Sequence, residues 1–109
     1  MGWQKELLAY TFDVLWDNVS RFGAPYLYSP SLRSSLERIV RASPHYEKLD
    51  GNFSEFCELI EQHYLPALKQ TLATSRFLLD SEKNLIPREE ITRAILVKLE
   101  RSQNANERA

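Results

Sequence analysis

Apolar residues recur along this chain with the period of an α-helix, in stretches set apart by glycine, proline and short polar turns. The first stretch, Trp3 to Phe22, has no Gly or Pro inside it. Its polar residues Glu6, Asp13, Asp17 and Ser20 fall at helical spacing and make one narrow strip. Leu7, Leu8, Phe12, Val14, Leu15, Trp16, Val19 and Phe22 cover most of the remaining circumference, with Trp3 and Tyr10 alongside. A surface helix normally carries an apolar arc somewhat wider than about 100°, and this one is far wider. The helix is expected to stop at Phe22-Gly23-Ala24-Pro25, with Gly in a left-handed cap and Pro just beyond it.

The second stretch, Ser31 to Ala42, places Leu32, Leu36, Ile39 and Val40 on one stripe, with Ser29 or Ser31 available as the N-cap. Tyr26-Leu27-Tyr28 lies between Pro25 and Pro30 and reads as an extended connection. After a turn at Leu49-Asp50-Gly51-Asn52, the third stretch opens with Asn52-Phe53-Ser54-Glu55, a relative of the capping box. Its stripe includes Phe56, Cys57, Ile60, Tyr64, Leu68, Thr71 and Leu72 and continues through Ser75, Leu78 and Leu79. Pro66 interrupts the stripe without changing its phase, which predicts one helix kinked at Pro66 rather than two.

A connection from Asp80 to Pro87 leads to the fourth stretch. Pro87 suits the first helical position, and Glu89 and Glu90 suit the positive end of the helix dipole. Ile91, Ile95, Leu96 and Leu99 form its seam, and Glu89 and Arg93 are spaced for an i, i+4 ion pair. The pattern predicts an all-α fold, a bundle of about four helices over residues 1–101, followed by a fraying polar tail over residues 102–109.

Composition narrows the function classes. At 109 residues the chain is the size of one domain, and 43% hydrophobic with 27% charged residues is ordinary for a globular protein. Lys plus Arg is 14 against 15 for Asp plus Glu, so no global field draws the chain toward nucleic acid or an anionic membrane. No stretch approaches the roughly 20 apolar residues of a membrane span. The single cysteine, Cys57, fits a reducing compartment, and the start of the chain lacks the pattern of a signal peptide. Gly2 is followed by Glu6 where a myristoylation motif needs Ser or Thr. A cytoplasmic protein is the expectation.

No catalytic residue and no metal ligand set can be named. Cys57 and His63 are six residues apart and fall on different sides of a helix, and His45 follows Pro44 in a loop where solvent should reach it. Cys57 sits on an apolar stripe, where a thiol behaves as a small hydrophobe. The carboxylate pairs Glu55/Glu58 and Glu89/Glu90 read as solvated surface, and no phosphate-cradling glycine loop is present. An enzyme is not expected, and no cofactor is implied.

The reading that follows first is a non-catalytic protein-interaction module, an adaptor or assembly unit. Its interacting face would be the aromatic-rich side of the first helix, Trp3, Tyr10, Phe12 and Trp16, offered to a protein partner or to a second copy. A bundle in which that helix simply packs centrally is the competing account. A second function class is a nucleic-acid-associated accessory protein using Arg21, Arg33, Arg38 and Arg41, although their spacing makes no tight row. A third is a ligand-sensing bundle with an aromatic pocket near Pro66, lined by Tyr64 and His63.

Overall fold

A computed structural model describes residues 2–74 and 86–108, the side chains of 74 and 102–108 excepted. Among these residues there is no strand, and four α-helices carry the architecture. They are α1 (Gly2–Phe22), α2 (Leu32–Arg41), α3 (Phe53–Thr74) and α4 (Arg88–Arg108). The all-α bundle expected from the apolar period is the fold observed. Ser75, Leu78 and Leu79, and the part of the Asp80–Pro87 connection before Ile86, lie outside the described residues.

The helices form a ring in chain order: α1 packs on α2 and α4, and α3 packs on the same two. Each contributes one stripe to a shared apolar cluster. From α1 come Leu7, Leu8, Phe12, Leu15 and Val19, and from α2 come Leu36, Ile39 and Val40. Phe56, Ile60, Tyr64 and Leu68 enter from α3, and Ile91, Ile95 and Leu99 from α4. Thr11 sits in the middle of the buried stripe of α1, where the apolar count alone would not place a hydroxyl. It is tolerated because Oγ1 donates to the Leu7 carbonyl one turn back, at 2.8 Å.

One contact crosses the centre of the ring. The Phe12 ring stacks on Tyr64 of α3 with centroids 4.1 Å apart and planes 10° from parallel. The Tyr64 hydroxyl donates to the Phe12 carbonyl at a long 3.5 Å. On α4, the Arg88 guanidinium lies 5.3 Å from the Phe12 centroid and pairs with Asp13 at 2.8 Å. Burial pushes the Tyr64 phenol above its ordinary range.

The connections depart from the sequence expectations. Ala24–Tyr28 is a short 3₁₀ helix rather than an extended connection, with Pro25 in its first turn and Leu27 turned into the core. Gly23 has φ 81° but ψ −176°, so it takes the mirror image of extended backbone rather than the left-handed helical cap. It still closes α1, donating its N–H to the Val19 carbonyl at 2.8 Å. At the start of α2, Ser31 occupies the cap position but makes no capping bond; its hydroxyl pairs with that of Ser29 at 2.9 Å.

A second 3₁₀ segment, Tyr46–Asn52, links α2 to α3 and is broken at Asp50. Helix α3 then runs through Pro66 without a break, so the single helix was the correct alternative to two. At the last helix, Arg88 begins the helical run and Ile91 donates to the Pro87 carbonyl, which puts Pro87 one step outside it. Helix α4 runs on to Arg108.

Candidate interaction surface

Helix α1 presents its buried face through Leu7, Leu8, Thr11, Phe12, Leu15 and Val19. Phe12 is fully buried against Tyr64, which removes it from the aromatic face read from the sequence. The reason is geometric. Phe12 falls within about 60° of the mean direction of the buried residues of α1, whereas Trp3, Tyr10 and Trp16 fall about 95° or more from it. Those other three are half-buried and pack against the edge of the core. They do not form one face either, since Trp3 and Tyr10 lie on one flank of the polar strip and Trp16 lies on the other.

Among the described residues, the most exposed aromatic side chains lie at and just after the C-terminal end of α1, and the sequence reading did not single them out. Phe22 and Tyr28 are each 66% exposed. Tyr26 stacks on Phe22 at 6.2 Å, and Tyr28 follows it by two residues in the same short 3₁₀ helix. The corner is held from below: the Tyr26 hydroxyl accepts from Asn18 Nδ2 at 3.0 Å and pairs with Ser35 Oγ at 2.7 Å, joining α1 to α2. Lys69 of α3 places its ammonium 5.0 Å from the Tyr28 centroid. The signal was present in the chain, because Pro25 and Pro30 flank a segment too short to bury both of its tyrosines.

The four arginines considered for nucleic acid are dispersed, and three of them are engaged locally. Arg21 pairs with Asp17 at 3.2 Å. Arg33 pairs with Glu37 at 3.1 Å and with Glu61 of α3, and the two carboxylates hold its guanidinium in the charged form. Arg41 covers the Phe53 ring at 4.8 Å. Arg38 is exposed on the other flank of α2, beside a small cleft lined by Tyr26 and serines 29, 31, 34 and 35.

The histidines and the cysteine are likewise in structural settings. His45 is not solvated as expected: its Nε2 lies 2.7 Å from the Glu6 carboxylate and ties the α2–α3 connection to the start of α1. His63 accepts from the Lys98 ammonium at 3.2 Å, and burial together with that neighbouring charge lowers its pKa. Cys57 is buried, and burial pushes its thiol up to about 11. Such a thiol is a weak nucleophile near neutral pH.

Tyr64, proposed as a pocket residue, is enclosed in the core instead. A groove of about 510 Å³ does exist, but between α1 and α4, with Lys5, Ala9, Thr92, Arg93, Leu96 and Glu100 along it. Among the described residues, no cluster of three or more His, Cys, Asp or Glu could hold a metal ion, and no helix is long and apolar enough to cross a membrane. No known protein family, curated protein or solved structure matches this chain.

Proposed function

We propose that this chain is a non-catalytic protein-interaction module whose partner docks on the aromatic corner formed by Phe22, Tyr26 and Tyr28. The observation that carries this reading is the pair of two-thirds-exposed aromatic side chains on a braced turn. Aromatic residues are enriched at protein interfaces and supply much of the energy at their centres. A corner already held by the Tyr26 hydrogen bonds costs little further ordering when a partner arrives.

A photo-crosslinking residue placed at Phe22 or Tyr28 in the native cell tests the proposal. It should yield a discrete protein adduct, and the same residue at Glu58, exposed on α3, should not. Equal labelling at all three positions, or none at the corner, sinks the reading. With Arg21, Arg33 and Arg41 each engaged in a local contact and Arg38 exposed apart from them, the nucleic-acid alternative has no comparable support.

A further inference from the structure

We propose a second interaction surface, on α4, whose occupant is a second copy of this chain packed antiparallel across a twofold axis. The proposal does not depend on the aromatic corner. Val97 is 44% exposed, and Leu96 beside it is only half-buried at the edge of the α1–α4 groove. Arg93 precedes Leu96 by one helical turn, and Glu100 follows Val97 by one turn. At about 100° per residue these four side chains lie within roughly one quarter to one third of the circumference of α4. Both charged groups are exposed, and neither makes an ion pair or hydrogen bond among the described residues. In particular, the ion pair expected between Glu89 and Arg93 does not form.

The order Arg93, Leu96, Val97, Glu100 is self-complementary. A twofold axis level with the midpoint of Leu96 and Val97 sets Arg93 of one copy opposite Glu100 of the other, and the reverse at the far end. Leu96 then faces Val97 of the second copy at the centre. Two apolar contacts are thereby closed between two charge pairs, which is the pattern of an isologous helix–helix contact. A parallel arrangement would put Arg93 beside Arg93 and Glu100 beside Glu100, so charge selects the antiparallel one. The flank of α1 carrying Lys5 and Ala9 forms the other wall of the groove that receives the second α4.

Sedimentation equilibrium of the full chain over a concentration series tests this. The expected result is a reversible dimer, weakened about tenfold or more by either Arg93→Glu or Glu100→Arg, because each sets like charges together at both ends. The double variant carrying both changes should restore the dimer. Since both positions are exposed, circular dichroism should show all variants folded. A chain that stays monomeric to millimolar concentration overturns the proposal, as does a dimer that the double variant fails to restore. A dimer dissolved by Phe22→Ala with Tyr28→Ala, yet indifferent to the charge exchange, also overturns it and assigns self-association to the aromatic corner.

Discussion

Asp50 holds φ 51° and ψ −119°, the geometry of the first central residue of a type II′ turn, which glycine normally occupies. The glycine of this turn, Gly51, stands one position too late to relieve it, and Asp50 is the only non-glycine with positive φ among the described residues. Asp50→Gly should therefore raise stability by about 1 kcal/mol, less whatever the unfolded chain gains in freedom. Urea denaturation measures this, and a loss of stability would mean that the Asp50 side chain contributes more than its backbone costs. His63 offers a titration at the same scale. Its imidazole is held below the ordinary 6.5, by burial first and by Lys98 second. The unfolded chain then binds more protons than the folded one as pH falls through 6.5, so His63 makes stability decline on acidification. Replacing Lys98 with Met should move the His63 midpoint back up in an NMR titration; an unmoved midpoint would leave burial as the sole cause.

Pro66 lies inside α3 and is exposed, so it withholds an N–H from the Gln62 carbonyl without adding to the core. Pro66→Ala restores that donor and should stabilise the protein by about 1–3 kcal/mol, read as a shift in the urea midpoint. The four helices themselves were legible because each apolar stripe keeps one phase over several turns. The inward face of α1 was not legible in the same way. With apolar residues over most of its circumference, periodicity cannot tell Phe12, at the centre of the ring, from Trp16, at its edge. Neighbouring helices decide that, and their positions are not local information. The same limit explains His45, which Glu6 reaches from α1 across a separation no spacing rule covers. It also explains the Ala24–Tyr28 turn, where two prolines were compatible with either an extended or a 3₁₀ path.

Taken whole, the molecule closes its ring by polar contacts as well as by its core. Arg88–Asp13 joins α4 to α1, Lys98–His63 joins α4 to α3, and Arg33–Glu61 joins α2 to α3. Among the described residues, the large hydrophobic side chains left exposed are Phe22 and Tyr28 at the corner and Val97 beside Leu96. Replacing Phe22 and Tyr28 together by Ala should leave the melting temperature within a few degrees, because exposed side chains away from caps and cores contribute about 0.5 kcal/mol or less. Phe12→Ala, by contrast, should cost about 3–5 kcal/mol through the cavity beside Tyr64. Equal losses from the two variants, measured by calorimetry, would show that the corner is part of the core.

The separation of Trp3 from Trp16 around α1 also makes the protein its own optical reporter. They are the only tryptophans in the chain, about 140° apart around the helix axis and each half in contact with solvent. With Trp16→Phe, emission comes solely from the flank that leads toward Tyr10. With Trp3→Phe, it comes solely from the flank that Lys5 and Ala9 share with the α4 groove. A molecule arriving on one side changes the colour or brightness of one indole and leaves the other dark to the event, so the side of docking is readable without any added label.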